Sequence, residues 1–243
     1  MTGDRAPLEF AEFDSRGYQT LAPREGYARW SPVYERDVED EMDLALLERL
    51  RTPSWSRYRA VADLGCGSGR TGAWLAQRTE ARIDGVDLTP EMLALARRRG
   101  VHARLVCADI RESALQPGAY DLVVASLVDE HLPEPAPLHQ AAWRLARPGG
   151  SWVMVGFHPH FIIAAGIPTH FEDESGNTLA IETNVHLLSE HLGSALDCGW
   201  QLAEIQERVV DDRWLELKPQ WARWRGHPVS VAYVWRKPGR PEA

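Results

Sequence analysis

The sequence predicts an α/β protein with a doubly wound, mostly parallel sheet, and three observations support this fold class. From Ala60 onward, apolar runs alternate with amphipathic runs, which is the pattern of consecutive βαβ units. The first apolar run ends in a turn with glycine at every second position: Gly65, Gly67 and Gly69. The second apolar run ends in Asp87. Open parallel sheets bind their ligands at the carboxyl ends of the strands, where these residues stand.

The order of the elements follows from where each run starts and stops. Pro90 after Thr89 marks the start of a helix, and Pro148-Gly149-Gly150 marks a turn before the next strand. Predicted strands cover about 60–64, 82–87, 103–107, 120–126, 151–157, 201–210 and 229–236. Predicted helices cover about 70–79, 90–99, 136–146 and 189–198.

Two stretches interrupt this alternation and suggest the domain organisation. Residues 1–59 are interpreted as an N-terminal helical cap, with the acidic run 35–43 as a solvated face. Residues 60–243 form the main domain, with an insertion at about 158–188. That insertion is long for a connection in a compact domain, so we expect it to be functional.

Composition and charge restrict the class of protein. With 243 residues and 44% hydrophobic content, the chain can bury a substantial core. Its net charge of −8 argues against a nucleic-acid partner. The three cysteines are isolated, without metal or redox spacing. Because no hydrophobic leader or membrane-length apolar run occurs, we expect a soluble, cytoplasmic protein without a membrane partner.

The glycine turn and the acid after it indicate a nucleoside-containing cofactor. Glycine allows a sharp bend and lets a ligand approach the main chain with no Cβ in the way. An acid that closes the second strand can accept hydrogen bonds from both ribose hydroxyls. The dinucleotide fingerprint is G-x-G-x-x-G, whereas Gly65, Gly67 and Gly69 alternate strictly. The spacing therefore disfavours a nicotinamide cofactor.

An ordered set of motifs carries a family resemblance. These motifs are Asp63-x-Gly65-x-Gly67-x-Gly69, Asp87, Ala108-Asp109 and Asp121-Leu122-Val123-Val124. Together they resemble the class I S-adenosylmethionine-dependent methyltransferases, and most closely the small-molecule branch with the ubiquinone and menaquinone methyltransferases. The resemblance implies a seven-stranded, Rossmann-like sheet whose last strand inserts antiparallel. It also implies S-adenosyl-L-methionine as the cofactor and S-adenosyl-L-homocysteine as the product.

The resemblance also implies roles for individual residues around the cofactor. Asp63 would face the ammonium group, Asp87 the ribose, and Asp109 the amino group of the adenine. In the family a tyrosine of the N-terminal cap often reaches the cofactor, so Tyr27 and Tyr34 are candidates. The full set of implied cofactor-binding residues is Tyr34, Asp63, Gly65, Gly67, Asp87, Leu88, Met92, Asp109, Ile110 and Ser126.

Histidines after the fourth and fifth predicted strands are the candidate bases. His131 matches a histidine that this branch commonly places after the fourth strand, and His158 follows the fifth. Histidine suits proton transfer because its ordinary pKa is near neutrality. Alternatively, His131 caps a helix or bonds within the core. A metal site built from His158, His160 and Asp129 or Glu130 is less favoured, and we expect no metal.

Aromatic side chains suggest the class of acceptor. Flat walls suit a flat, partly polar substrate. The candidate substrate-binding residues are Tyr27, Trp30, His160, His170 and Phe171. The interleaved Trp and Arg residues of 214–228 resemble a base-stacking surface. The acidic chain favours a different interpretation, a connection whose tryptophans pack on the cap or on a second subunit, so a homodimer stays open.

The sequence therefore predicts a methyltransferase that acts on a small aromatic or conjugated metabolite. Carbon or oxygen acceptors are favoured, because they lose a proton and the candidate base is a histidine. Ser126-Leu127-Val128-Asp129 stands where base-methylating enzymes carry an Asn-Pro-Pro-Tyr-type motif, which argues against methylation of nucleic acid. Two alternatives remain: a non-catalytic S-adenosylmethionine-binding protein, and an enzyme that uses this cofactor for other chemistry such as cyclisation.

Overall fold

The computed structural model describes residues 8–38 and 40–239 of the chain. Its strands are β1 (Leu8–Glu9), β2 (Gln19–Leu21), β3 (Ala60–Leu64), β4 (Arg82–Asp87), β5 (Arg104–Cys107), β6 (Tyr120–Ser126), β7 (Ala146–Phe157), β8 (His170–Glu172), β9 (Thr178–Ile181), β10 (Asn184–Val185), β11 (Gln201–Val209) and β12 (Pro228–Arg236). Its α-helices are α1 (Pro23–Trp30), α2 (Tyr34–Asp37), α3 (Leu44–Leu47), α4 (Arg70–Ala76), α5 (Pro90–Arg99), α6 (Ala136–Leu145), α7 (Pro159–Ala165), α8 (Leu188–Asp197) and α9 (Asp212–Leu217). Short 3-10 turns cover Phe10–Glu12, Trp55–Arg57, Ile110–Glu112, Asp129–His131 and Pro219–Trp224.

The central sheet has seven strands in the order β11-β12-β7-β6-β3-β4-β5. Strands β3 to β7 pair parallel with one another, whereas β12 pairs antiparallel with both β7 and β11. The last strand is therefore inserted between two earlier ones. This arrangement confirms the predicted doubly wound, mostly parallel sheet with an antiparallel final strand.

Side chains pack against both faces of this sheet, which explains why its middle strands are continuous apolar runs. From Tyr120 to Ala125 every residue of β6 is buried. One core cluster contains Trp152 and Trp235 together with Leu138 of α6. The other contains Leu46 of α3 and Leu75 of α4. Burial on two faces fixes the register of the strands and hence the edge at which their carboxyl ends meet.

The N-terminal segment and the insertion form one cap over that edge. Strand β2 pairs parallel with β9, which pairs antiparallel with β8. Leu21 and Trp30 from the N-terminal segment share a buried cluster with Phe171 and Ile181 from the insertion. The prediction of a purely helical N-terminal cap is therefore incomplete. A three-residue strand has no local signal, since its partner lies about 160 residues further along the chain.

The Trp-rich connection between β11 and β12 packs within its own chain. Trp214 is buried, and Trp221 stacks on Phe161 of α7 with ring centroids 5.2 Å apart. Met42 of the N-terminal segment packs against the same cluster. This contact supports the packing interpretation, while a second subunit stays a prediction. Among the described residues, no helix is both long and apolar enough to cross a membrane.

Candidate active site

A cleft opens where β3, β4 and β6 end, and the glycine turn forms its floor. Gly65 has φ +66°, a value that L side chains rarely adopt. A Cβ at this position would lie 2.7 Å from Cγ2 of Val128, too close for any side chain. Gly67, with φ +51°, turns its N–H toward Asp87 and donates a hydrogen bond of 2.8 Å to Oδ2. The turn therefore exposes main chain at the sheet edge.

Asp87 presents its carboxylate at this edge from the end of β4. Its Oδ1 accepts from the backbone N–H of Thr89 at 2.8 Å, so both oxygens are oriented by main-chain donors. Burial raises the pKa of the Asp87 carboxyl. Leu88 is 40% exposed beside it, and Met92 is buried and lines the cleft. An oriented acid next to apolar side chains is complementary to a ribose and its base.

The end of β5 lies next to Asp87, because the N–H of Ala108 donates to the Asp87 carbonyl at 3.0 Å. Asp109 follows and accepts from the backbone N–H of Arg111 at 2.9 Å. The hydrogen bonds from the Arg111 side chain hold the pKa of Asp109 below its ordinary value. Ile110 is buried behind this turn. Contacts from Asp109 and Ile110 to an adenine stay predictions.

Asp63 does not face the cleft as expected. Its side chain is 1% exposed, and Oδ2 lies 3.1 Å from Nε2 of His102, whose side chain is fully buried. The pair lies beneath the glycine turn, where a Cβ on Gly72 would meet both side chains. The expected contact between Asp63 and an ammonium group is therefore not supported. Its carboxylate pairs with His102 instead.

A charged pair that was not predicted from the sequence also lines the cleft. Arg70 follows the glycines as the first residue of α4, and its Nη2 donates to Asp43 Oδ1 at 3.0 Å. Asp43 also accepts from Ser126 Oγ at 3.2 Å and is 2% exposed. Burial is the main cause that raises the pKa of Asp43, and Arg70 opposes it. The interpretation of 35–43 as a solvated face is thus wrong at Asp43, and also at Glu41, which is 7% exposed. The position of Arg70 directly after the glycine turn was a signal that could have identified it.

Tyr27 and His131 form a hydrogen-bonded pair at the cleft. His131 Nδ1 lies 2.7 Å from the carbonyl of Glu182, which can only accept, so Nδ1 carries the ring proton. His131 Nε2 therefore accepts from the Tyr27 hydroxyl at 2.9 Å. Burial lowers the pKa of His131 to about 4 and raises that of Tyr27 well above 10. In the resting state both side chains are therefore neutral, and the proton in the hydrogen bond between them belongs to the Tyr27 hydroxyl.

A second cavity of about 440 Å³ adjoins the cleft under the cap. Tyr27, Tyr34 and Leu127 line both spaces. Leu127 has φ +53°, and it is the sole non-glycine residue of the described chain with positive φ. Strained backbone of this kind tends to mark functional sites. The cavity wall is mostly apolar and contains Trp30, Met42, Phe157, Phe161, Ile162, Ile167, Pro168, Trp214 and Trp221, with His170, Thr169 and Glu130 among the polar residues.

Two of the expected substrate residues lie elsewhere. Phe171 stacks on Trp30 with ring centroids 5.3 Å apart and stands behind the cavity wall rather than in it. His160 pairs with His227 at 2.8 Å, and neither residue lines the cavity. Side chains alternate along β8, so His170 and Phe171 point to opposite sides of the strand. This alternation explains why His170 lines the cavity whereas Phe171 does not.

His158 is not brought to the cleft either. Its Nε2 lies 3.0 Å from Glu207 of β11, and its Nδ1 accepts from the backbone N–H of His160 at the start of α7. The catalytic role predicted for His158 is therefore not supported. Within residues 8–38 and 40–239, no group of three or more His, Cys, Asp or Glu side chains could hold a metal ion.

A buried chain of hydrogen bonds supports the segment that carries His131. Trp152 Nε1 donates to His139 Nδ1 at 3.1 Å, so His139 Nε2 donates to His191 Nδ1 at 3.2 Å. His191 Nε2 then donates to Asp129 Oδ2 at 3.2 Å. Burial raises the pKa of Asp129, but this bond and the nearby histidines outweigh it and hold the pKa below the ordinary value. Asp129 is therefore a buried anion directly before Glu130.

The sheet order, the glycine turn and the acid after β4 define a class I S-adenosylmethionine-dependent methyltransferase fold. Residues 62–154 match the family model described as a methyltransferase domain. This match confirms the class expected from the motifs, and S-adenosylmethionine as the cofactor of that class. The match covers β3 to β7 and leaves the cap outside.

Curated relatives and solved structures agree with this class. The chain is 33% identical over 147 residues to trans-aconitate 2-methyltransferase of Mycobacterium ulcerans, covering 60% of this chain and 51% of that protein. It is 38% identical over 95 residues to ubiquinone biosynthesis O-methyltransferase of Sodalis glossinidius, covering 37% and 38%. The chain therefore spans about half, or less, of the length of these relatives. A methyltransferase structure from Mesorhizobium loti superimposes with a TM-score of 0.64, at 22% identity, over 81% of this chain and 98% of that one.

Proposed function

We propose that this protein transfers a methyl group from S-adenosylmethionine to an oxygen or carbon atom of a small aromatic or conjugated acceptor. The position of Tyr27 carries the proposal. Tyr27 lines both the cofactor cleft and the apolar cavity, and its hydroxyl is bonded to His131. A group that can accept a proton therefore lies where a methyl donor bound in the cleft would meet a methyl acceptor bound in the cavity.

The residues of the cleft fit the cofactor in two parts. Asp87, with both oxygens held by main-chain donors, would accept from the ribose hydroxyls, while Leu88 and Met92 would contact the adenine. Asp43 and Arg70 offer one acidic and one basic group to the amino-acid end. This pairing matches an ammonium and a carboxylate on the same carbon. Main chain at Gly65 and Gly67 approaches without a Cβ in the way.

Tyr27 and His131 would accept the proton that the acceptor loses. When bound, S-adenosylmethionine supplies a methyl group activated by a positively charged sulfur. Tyr27 takes a proton from the acceptor as its own hydroxyl proton moves to His131 Nε2, and the Nδ1 bond to Glu182 holds the ring in place. The acceptor atom keeps the electron pair that forms the new bond to carbon. A base placed in this way contributes about 10²–10⁴-fold to a rate.

The chemistry of the cavity supports an apolar acceptor. Its wall is dominated by aromatic and aliphatic side chains, with Glu41 and Glu130 among its carboxyls. The name of one relative refers to trans-aconitate, a tricarboxylate, which would need several cations. The name of another refers to ubiquinone biosynthesis, and a quinone precursor is closer to what these walls would accept. The cavity therefore favours the second kind of molecule.

Binding and turnover test the proposal separately. Wild type should bind S-adenosylhomocysteine in calorimetry, and Asp87→Ala should weaken this binding by at least about tenfold. Glu91→Ala, which removes an exposed acid nearby, is the matched control. Incubation with cofactor carrying a labelled methyl group and a panel of phenols and quinols should then give a labelled product. Unchanged affinity in Asp87→Ala would refute the ribose contact, and binding without any product would favour the non-catalytic alternative.

A further inference from the structure

One carboxyl group in the cavity wall takes no part in the proposed proton transfer. Glu130 lines the cavity and is 2% exposed. Its Oε2 is buried and has no hydrogen-bond partner among the described residues. Its Oε1 accepts from Thr169 Oγ1 at 3.5 Å, at the limit of hydrogen bonding, and lies 3.5 Å from His131 Nε2. Since buried polar groups are nearly always paired, this one is placed to pair with a molecule that enters the cavity.

The surroundings of Glu130 set its charge. Glu41, another carboxyl of the wall, is paired with Arg208 at 2.7 Å. Glu130 instead follows Asp129, the anion held by the hydrogen bond from His191. Burial, followed by the charge of Asp129, raises the pKa of Glu130 well above its ordinary value. A protonated carboxyl has one O–H donor, which no described residue accepts at Oε2.

We propose that Glu130 binds the acceptor as an uncharged carboxylic acid, donating its O–H to a neutral carbonyl or hydroxyl oxygen on an otherwise apolar molecule. The acceptor class is thus narrowed to phenols, quinols, ketones and their relatives, at a subsite next to His131 and Thr169. Because it takes the cavity to be the acceptor site, this assignment rests on the proposed function.

The same geometry disfavours charged acceptors at this subsite. A carboxylate there would lie close to the buried anion Asp129, which would repel it. An ammonium group would require Glu130 to ionise beside Asp129, which costs free energy in a buried site. His131 is neutral in its resting state, and Lys218 and Glu41 also line the cavity. A neutral oxygen is the partner that needs no change in the charge of any of these groups.

Four probes of one size test the subsite: 2-naphthol, naphthalene, 2-naphthoate and 2-naphthylmethylammonium. Their affinities are measured by tryptophan fluorescence with S-adenosylhomocysteine present, for wild type, Glu130→Gln and Glu130→Leu. Wild type should bind 2-naphthol about tenfold more tightly than naphthalene and than either ion. Glu130→Gln should keep most of this preference, since an amide N–H also donates. Glu130→Leu should lose this preference, while its affinity for naphthalene should equal that of wild type.

Infrared difference spectra between wild type and Glu130→Gln give a readout that does not need a ligand. A band from a protonated carboxyl at pH 7, absent from the variant, supports the assignment. A carboxylate band, or tightest binding of the ammonium probe, overturns it. Affinity for S-adenosylhomocysteine should be equal in all three proteins. If wild type binds S-adenosylhomocysteine but does not prefer 2-naphthol, the proposed role of Glu130 is refuted and the proposed methyl transfer is not. If the cofactor product does not bind wild type, the proposed function itself fails.

Discussion

Arg29 and Asp173 tie the first helix to the insertion. Arg29 Nη2 lies 2.6 Å from Asp173 Oδ2, and Nε of the same side chain lies 3.0 Å from that oxygen. The loop of the β8–β9 hairpin also donates to this carboxylate, and the bond from the backbone N–H of Asn177 is the main cause that lowers the pKa of Asp173 to about 2. Two segments of the cap that are 144 residues apart are thus joined.

Breaking this tie should loosen the cap without changing the cofactor cleft. In Arg29→Gln we expect faster amide hydrogen exchange in β2 and β9, because their pairing depends on the two segments staying together. The KM for the acceptor should rise severalfold, while affinity for S-adenosylhomocysteine stays unchanged. Arg36→Gln, which removes an exposed arginine from the next helix, is the control. Exchange rates equal to those of wild type would show that the ion pair does not hold the cap.

Tyr27→Phe should slow turnover about a hundredfold, because it removes the hydroxyl that connects the acceptor to His131. His131→Gln should cause a loss of the same order. The double variant should be little worse than either single variant, since the two side chains act as one unit. Tyr18→Phe, which alters a tyrosine outside the cavity wall, should retain its rate. If Tyr27→Phe keeps turnover while His131→Gln loses it, His131 acts directly rather than through Tyr27.

Asp43→Asn should weaken binding of S-adenosylhomocysteine about tenfold and leave 5′-methylthioadenosine almost unaffected. The second ligand lacks the amino-acid end that Asp43 and Arg70 would contact. Asp87→Ala should weaken both ligands, because both carry the ribose. Calorimetry on the two variants with the two ligands gives four affinities. Equal losses for both ligands in Asp43→Asn would place Asp43 away from the amino-acid end.

Gly65→Ala should be more destabilising than Gly118→Ala, although both glycines have φ +66°. A Cβ at Gly118 would meet nothing within 4 Å, so this change costs only about 1 kcal/mol of backbone strain. A Cβ at Gly65 would overlap Val128, which adds roughly 1–3 kcal/mol for overpacking. Urea unfolding of both variants measures the difference. Equal free energies of unfolding would mean that Val128 moves away freely.

Stability should fall on acidification because two histidines are held neutral in the fold. Burial lowers the pKa of His131 to about 4 and that of His139 to about 3. The unfolded chain binds these protons near pH 6.5, so their contribution is complete above that pH and is lost progressively as the pH falls through 4. Unfolding free energies from pH 7 to pH 4 should therefore decrease, and less steeply in His131→Gln. The same slope in the variant would show that His131 does not contribute.

The motifs on β3, β4 and β5 could be predicted because each depends on neighbours in the sequence. The glycines at 65 and 67 need no distant partner to bend the chain, and Asp87 ends a strand whose apolar run is visible by itself. The error at Asp63 has a different origin. Its carboxylate pairs with His102, which follows α5 and is 39 residues further along the chain.

The acceptor side was less predictable for the same reason. His131 was identified from its place after the fourth strand, but its partner Tyr27 lies 104 residues earlier. His158 had an equally good position after the fifth strand, and only the tertiary structure shows that it bonds to Glu207 on β11 and does not line the cleft. Arg70 and Asp43 were missed because a charged residue at a helix start is most often solvated.

The sequence by itself determined the seven strands of the central sheet, four of the helices, the cofactor class and the sheet edge at which the cofactor would bind. These follow from local apolar periodicity and from backbone freedom at glycine, which short segments carry on their own. Only the tertiary structure decided how β2 and the insertion combine into a cap and which histidine meets Tyr27. It also decided that Glu130 lines an apolar cavity with its Oε2 lacking a hydrogen-bond partner among the described residues. Those features depend on contacts between distant segments, and burial then sets the charge that each side chain carries.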